Sequence, residues 1–220
     1  MKTSSPRFYF CFRSPYSWVG ARLLEECFDS KQYGIEYIPF WEPDKQTLIL
    51  LKAKGGEFLY TPMSRHRHLY ILQDIKRLTT KLGYKITWPV DRNPWWDLPH
   101  LAYLAARRYG KGSSFFWAVY QARWEKGENI CSIDTISRIA QEVGLDPELI
   151  AQAPHDPTIR QEGVEALYKA YRDSVFGIPF FINGNEKFWG SDRFEDFAFN
   201  LANSEQRKIQ EFRSKKTINS

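Results

Sequence analysis

Apolar residues follow two different rhythms along this chain. Near the start, Phe8, Phe10 and Phe12 alternate with Tyr9 and Cys11, a period of two that predicts a strand. After the polar segment Ser14-Pro15-Tyr16-Ser17 the rhythm changes. Trp18, Val19, Ala21, Leu23 and Leu24 predict a helix from about Pro15 to Phe28. Gly34 closes the connection, and Ile35-Glu36-Tyr37-Ile38-Pro39-Phe40 reads as a second strand. A strand–helix–strand order implies two parallel strands joined by a right-handed crossover.

The middle, from about Glu42 to Arg172, shows no convincing strand pairs. Helical stretches are predicted at about 65–82, 98–109, 113–126 and 132–143. Each is followed by a glycine, Gly83, Gly110, Gly127 and Gly144, where a helix C-terminal cap belongs. Asp156-Pro157 starts a further helix to about Ser174, with proline in its first turn. The end of the chain returns to strands. Pro179-Phe180-Phe181-Ile182 is a short apolar run, Asn183-Gly184-Asn185 a hairpin turn signal, and Lys187-Phe188-Trp189 the return strand. Gly190-Ser191-Asp192 then opens a last helix through about Ala202. The expected organisation is an α/β unit from residues 6–42 plus 173–203, an all-helical insertion over 43–172, and a tail over 204–220.

The elbow at Ser14-Pro15-Tyr16-Ser17 carries the first chemical hint. A strand entering a helix at a polar turn is where oxidoreductases of the thioredoxin type place Cys-x-x-Cys. Here serine occupies both positions. A hydroxyl cannot form a disulfide, but it can donate a hydrogen bond to a thiolate held by another molecule. Read by itself, a Ser-Pro start is also a plain helix cap.

Composition narrows the field. With 220 residues, 43% of them apolar, the chain can bury a sizeable core and still have aromatics for a pocket. The charge of +5 invites a nucleic-acid reading. However, Arg207, Lys208, Arg213, Lys215 and Lys216 against Glu205 and Glu211 put +3 of it in the tail. No face interleaves basic and aromatic residues, so no nucleic-acid partner is expected. No apolar run is long enough to span a bilayer and no secretory leader is evident, so no membrane is expected. Cys11, Cys27 and Cys131 form no C-x-x-C pair, which fits free thiols in a reducing, cytoplasmic setting. His66 and His68 form an H-x-H pair, but only His100 and His155 remain to complete a ligand set, so no metal is expected.

Three motifs in order give a resemblance. Phe8-Tyr9-Phe10 with Ser14-Pro15-Tyr16-Ser17-Trp18 stands near the start. Val175-Phe176-Gly177-Ile178-Pro179 and Phe188-Trp189-Gly190-Ser191-Asp192-Arg193 stand near the end. Leu69-Tyr70-x-x-x-Asp74 and Arg123-Trp124-x-x-Gly127-x-x-Ile130 lie between them. Over roughly residues 6–203 the chain resembles the 2-hydroxychromene-2-carboxylate isomerase and kappa-class glutathione transferase group of the DsbA-like proteins. The resemblance implies an α/β fold, a thioredoxin-like βαβ–ββα unit with a large helical insertion, usually as a homodimer. It also implies glutathione as the cofactor. In the isomerases its thiol adds reversibly to an unsaturated carbonyl compound so that cis and trans forms interconvert.

Carried over residue by residue, the resemblance makes Ser14 the catalytic serine, donating to the glutathione sulfur. Ile178-Pro179 takes the place of the cis-proline, with the Ile178 backbone pairing to the cysteinyl unit. Ser191, Asp192 and Arg193 meet the γ-glutamyl end, although Asp192-x-x-Glu195 also reads as a capping box. Arg67 falls where the family has a lysine for the glycyl carboxylate. Tyr16, Trp95 and Trp96 are expected to wall the substrate pocket. Two departures stand out. The Asn-Pro-Pro preceding that lysine is replaced by Gly55-Gly56-Glu57-Phe58-Leu59-Tyr60-Thr61-Pro62, and the family's Asn-Ser or Asn-Thr pair by Asn93-Pro94-Trp95-Trp96-Asp97. Both border the substrate side, which points away from the usual chromene carboxylate. A kappa-like transferase forming stable adducts is the alternative enzyme. A catalytically inactive binding module is the alternative of a different class.

Overall fold

The strand predicted first is the centre of the molecule. In the computed structural model, which describes residues 5–28 and 33–204, β1 (Arg7–Phe10) is buried at every position. It pairs in parallel with β2 (Glu36–Pro39), Phe8 opposite Tyr37, and antiparallel with β3 (Phe180–Asn183), Phe8 opposite Phe181. β4 (Glu186–Trp189) completes a sheet of order β2-β1-β3-β4. The β3–β4 hairpin turns at Gly184, whose φ of 61° suits a residue without Cβ. β1 tolerates its two polar groups because they are paired. Arg7 Nε lies 2.7 Å from Asp173, and the Tyr9 hydroxyl donates to the same carboxylate at 2.5 Å.

Between β1 and β2 runs α1 (Pro15–Cys27), with Ser14 as its cap and proline in its first turn. Between β2 and β3 the chain is helical: α2 (Lys45–Ala53), α3 (Arg65–Leu82), α4 (Asp97–Arg108), α5 (Gly112–Tyr120), α6 (Ile133–Glu142), α7 (Pro147–Ala151) and α8 (Pro157–Arg172). A last helix, α9, covers residues 194–204. The capping glycines sit as expected, with positive φ at Gly83, Gly110, Gly127 and Gly144.

Three elements differ from expectation. The stretch predicted as one helix over 113–126 is α5 followed by a π-helical turn, Gln121–Glu125. α2 was not anticipated, because its apolar residues Leu48-Ile49-Leu50-Leu51 run consecutively rather than at helical spacing. Only Leu51 and Thr47 are buried on it, one turn apart, while Ile49 is 66% exposed. α7, at five residues, is too short for periodicity and rests on its Asp146 cap and Pro147.

α4 is the spine of the helical region, buried from Asp97 through Ala106. Its two fully buried polar groups are paired with neighbouring elements. Asp97 accepts from the Asp44 amide at 2.7 Å and the Thr47 hydroxyl at 2.6 Å, with Arg160 of α8 at 3.5 Å. His100 stacks on Trp41 at 5.1 Å, nearly parallel. No helix among the described residues is long and apolar enough to cross a membrane. The basic tail lies outside the described residues beyond Ser204.

Candidate functional site

The elbow between β1 and α1 is held from several sides. The Ser14 amide donates to the Cys11 carbonyl at 3.0 Å, closing the turn. The Cys11 amide donates to Ser17 Oγ at 3.2 Å, and the Phe12 amide to His100 Nε2 at 3.1 Å. Trp124 Nε1 donates to the Phe12 carbonyl at 3.0 Å, and the Tyr120 hydroxyl to the Cys11 carbonyl at 3.3 Å. Side chains from α4, α5 and the π-helical turn therefore fix where α1 begins. The His100 tautomer follows from these bonds. Nε2 accepts, so the proton is on Nδ1, 2.6 Å from the Trp96 carbonyl.

The two serines of the elbow do different work. Ser17 is fully buried and its oxygen is committed to the Cys11 amide. Ser14 is half-buried and its oxygen accepts from the Ser17 amide at 3.2 Å. That bond uses a lone pair and leaves the Ser14 proton available to donate outward. Pro15 has no amide, and the Trp18 amide bonds the Ser14 carbonyl at 3.1 Å. This leaves the Tyr16 amide as the first-turn donor for an anion. Burial pushes the Cys11 thiol up to about 11, so this cysteine stays protonated and does not replace the missing redox pair.

Beside Tyr16, in the first turn of α1, lies a cleft of about 810 Å³ with three walls. α1 contributes Tyr16, whose hydroxyl donates to Asp74 of α3 at 2.6 Å. Burial, and then the Asp74 carboxylate, raise the Tyr16 pKa, so the phenol remains protonated. The bond from Tyr16 in turn holds Asp74 below the usual carboxylate range, helped by Arg77 and Tyr70. The second wall is one face of α3, with Arg77, Leu78 and Lys81 beside Asp74. The third is the turn from Trp189 to Arg193, with Ile178 and Pro179 at its base.

The Ile178–Pro179 peptide bond is cis. The Pro179 carbonyl accepts from the Gly190 amide at 2.9 Å, which ties the two parts of that wall together. α1 packs closely over it. A Cβ on Gly20 would lie 3.2 Å from both Pro179 and Phe181 side chains, so any larger residue would require these neighbours to give by a few tenths of an ångström. Gly190 has a φ of 103°, and Ser191–Arg193 form a 3-10 turn that leads into α9.

Of the residues singled out in the sequence, Tyr16, Ile178, Pro179, Ser191, Asp192 and Arg193 line this one cleft. Ser14 is not among the lining residues, but stands two residues before Tyr16 at the same helix end. The others fall elsewhere. Trp95 and Trp96 do not line the cleft. Trp96 is 5% exposed, its ring 4.9 Å from the Arg123 guanidinium and 5.5 Å from that of Arg13, and Trp95 Nε1 donates to Asp44 at 3.2 Å. Both are spent bracing the helical region, because the Pro94 loop folds inward onto α4. Arg67 is exposed in the first turn of α3 and also lies off the cleft lining. Asp192 sits inside the 3-10 turn with Gly190 at its cap position, so the capping-box expectation is replaced by a glycine-started turn. Arg193 pairs with Asp196 at 3.6 Å rather than with Asp192.

Sequence reasoning missed Arg77, Lys81 and Trp189 as cleft residues. For the first two a signal existed: Asp74, Arg77, Leu78 and Lys81 follow i, i+3, i+4, i+7, one helix face. Trp189 gave none. It is 54% exposed, its ring 5.0 Å from Phe176 and packed over Gly177. A second depression of about 400 Å³ lies against β2, α4 and α8. Its charges are largely paired with one another, Arg108 with Glu162 at 2.7 Å and Lys169 with Glu36 at 2.5 Å.

Comparison with known proteins places this geometry. A family model described as DSBA-like thioredoxin domain matches residues 7–202. A protein of Sphingobium xenophagum named 2-hydroxychromene-2-carboxylate isomerase is 27% identical over 198 residues, covering 88% of this chain and 95% of its own. An uncharacterized protein of Bacillus subtilis (strain 168), YwbO, is 28% identical over 203 residues, 91% of this chain and 95% of its own. The solved structure of a 2-hydroxychromene-2-carboxylate isomerase superposes with a TM-score of 0.70 at 19% identity, covering 95% of this chain and 98% of that one. With a two-serine elbow on a four-stranded mixed sheet and isomerases among its homologues, the chain belongs to the DSBA-like thioredoxin domain family.

Proposed function

We propose that this chain is a glutathione-dependent isomerase acting on an α,β-unsaturated carbonyl compound, with Ser14 as the hydrogen-bond donor to the glutathione sulfur. The observation that carries the reading is the half-buried Ser14 hydroxyl, its proton unused by the cap, at a helix start whose flanking cysteine positions are both serine. Homologues named 2-hydroxychromene-2-carboxylate isomerase support the reaction class.

The residues around the cleft fit a peptide thiol. Ser14 Oγ–H and the Tyr16 amide face an anion at the positive end of α1. A thiol with a pKa of roughly 8.5 falls by about one to several units at such a helix start. Each unit favours the thiolate by about 1.4 kcal/mol. The Ile178 amide and carbonyl would pair with the cysteinyl backbone as an added strand does. Asp192 suits the γ-glutamyl ammonium and Ser191 its carboxylate. Glutathione, when bound, supplies the thiol that adds to the conjugated carbon and leaves again, so that the bond between can rotate. The chain's part is to hold the sulfur ionised, to orient it, and to keep Tyr16 protonated beside it.

The test is turnover of a cis enone followed by absorbance, with and without glutathione, for the native chain and Ser14→Ala. Turnover that needs glutathione and falls by about 100-fold or more in the variant supports the proposal. Unchanged turnover in Ser14→Ala, or turnover without glutathione, overturns it. Glutathione consumed one-for-one with product would instead make the chain a transferase of the kappa-like type.

A further inference from the structure

Arg123 is a buried cation beside the elbow with no part in the proposed chemistry so far. Its side chain is 2% exposed, in the π-helical turn Gln121–Glu125. Such turns are frequent at functional sites. The guanidinium lies against two indoles, 4.9 Å from the ring of Trp96 and 4.9 Å from that of Trp124. Asp91 holds it with two parallel hydrogen bonds of 2.9 Å. Both indoles reach the elbow. Trp124 Nε1 donates to the Phe12 carbonyl at 3.0 Å, and the Trp96 ring lies 5.5 Å from the guanidinium of Arg13, the residue before Ser14. The pair with Asp91 does not cancel the charge on that side. The Asp91 side chain is 30% exposed, so water screens the carboxylate while the guanidinium is shielded from it. The charge is felt at the elbow. Burial raises the Cys11 thiol, and the Arg13 amide and the charges of Arg13 and Arg123 oppose that rise. At His100 burial lowers the imidazole, and Arg123 lowers it further. The Ser14 amide bonds the Cys11 carbonyl at 3.0 Å, so a field at Cys11 also reaches Ser14.

Stability alone does not account for this pair. Desolvation offsets most of the attraction between two buried charges, and Arg123 Nε has no hydrogen-bond partner among the described residues. The other ionisable groups around the elbow do not supply the same charge. His100 is neutral, and burial keeps Cys11, Tyr16, Tyr60, Tyr120 and Cys131 protonated. Arg13 is paired with Glu42 at 3.0 Å on the surface. On the cleft side Arg77 is paired with Asp74 at 3.2 Å. Lys81, Asp192 and Arg193 are exposed there, where salt screens them. We propose that Arg123 is a positioning residue for the sulfur, a cation fixed beside the elbow by Asp91 and two indoles that holds the bound glutathione thiol ionised without touching it. This rests on the reading of the chain as a glutathione enzyme.

The test follows the ultraviolet absorbance of the bound glutathione thiolate against pH for the native chain, Arg123→Met, Arg123→Lys and Asp91→Asn. Melting temperatures show whether each variant keeps the fold. Methionine removes the charge and keeps apolar bulk against the indoles. Lysine keeps the charge and loses the two-pronged bond. Asparagine leaves Arg123 in place and removes its counter-charge. The pKa of the bound thiol should rise by about 0.5 or more in Arg123→Met. It should stay near the native value in Arg123→Lys and stand at or below it in Asp91→Asn. A purely structural pair would instead give one direction for both ways of breaking it. If the native chain ionises glutathione and Arg123→Met leaves the value unmoved, the assignment is wrong while the functional reading stands. The same holds if Arg123→Lys raises it as much as Arg123→Met does. A rise in Asp91→Asn also overturns the assignment, and this variant decides the matter where Arg123→Met does not fold. If the native chain binds no glutathione, both fall together.

Discussion

The Phe12 amide donates to His100 Nε2 at 3.1 Å, linking the strand-to-helix elbow to the buried spine of the helical region. Phe12 lies two residues before Ser14, and His100 is eighty-eight residues further along the chain. The bond requires a neutral imidazole. Burial, the dominant cause, pushes the His100 pKa down from 6.5 to about 3.

That depressed pKa has a definite sign in stability. The unfolded chain binds a proton near 6.5, the native chain only near 3, so stability from this group is full above 6.5 and is lost as pH falls. The slope is about 1.4 kcal/mol per pH unit between those limits, or roughly 3 kcal/mol at two units below 6.5. Urea denaturation at pH 7, 5.5 and 4.5 should show it. His100→Gln should be less stable than the native chain at pH 7 but lose less on acidification. Equal slopes for the two would disprove the assignment.

Ser14→Ala and Ser17→Ala make a discriminating pair. Removing Ser17 Oγ leaves the buried Cys11 amide without its partner and should cost about 1–3 kcal/mol. Removing Ser14 Oγ loses a helix cap, about 1 kcal/mol. The stability effects are thus similar, while glutathione-dependent turnover should collapse only in Ser14→Ala. Thermal melts and turnover measured on the same preparations check both halves; comparable loss of turnover in the two variants would make Ser14 a structural cap.

Gly20 sets the spacing between α1 and the Pro179 wall of the cleft. A Cβ there would already be 3.2 Å from Pro179 Cβ and Phe181 Cζ. Gly20→Val adds two methyls beyond that point and should destabilise by about 1–3 kcal/mol through overpacking. Because the strain falls between the elbow and the cis-proline, glutathione affinity should weaken as well. A melting temperature and affinity equal to those of the native chain would show that α1 shifts freely, against this account.

The elbow was legible in the sequence because every signal for it is local. Ser14 and Pro15 are a cap and a first-turn residue, Phe8 to Phe12 alternate, and Gly83, Gly110, Gly127 and Gly144 lie within two residues of the helix ends they mark. Trp95 and Trp96 misled because a tryptophan in a Pro-containing loop looks the same whether the loop folds outward over a pocket or inward. Here Trp95 reaches Asp44 and Trp96 lies against Arg123, contacts across fifty-one and twenty-seven residues of chain. Arg67 lies off the lining of this cleft for a related reason. Its position in a motif does not say which turn of α3 faces the cleft.

The amino-acid sequence by itself determined the order of the strands and of the longer, periodic helices, the absence of a redox pair and the hydroxyl at the helix start. These depend on the period of side chains along a strand or helix and on the chemistry of single caps. Only the tertiary structure decided that Arg77, Lys81 and Trp189 line the cleft, that Trp95 and Trp96 do not, and that Ser17 is spent on Cys11 while Ser14 keeps a proton to give. Those outcomes depend on how α3 and the Trp189–Arg193 turn pack against α1. Such long-range packing is settled by burial and hydrogen-bond satisfaction over the whole fold, which no local stretch of sequence specifies.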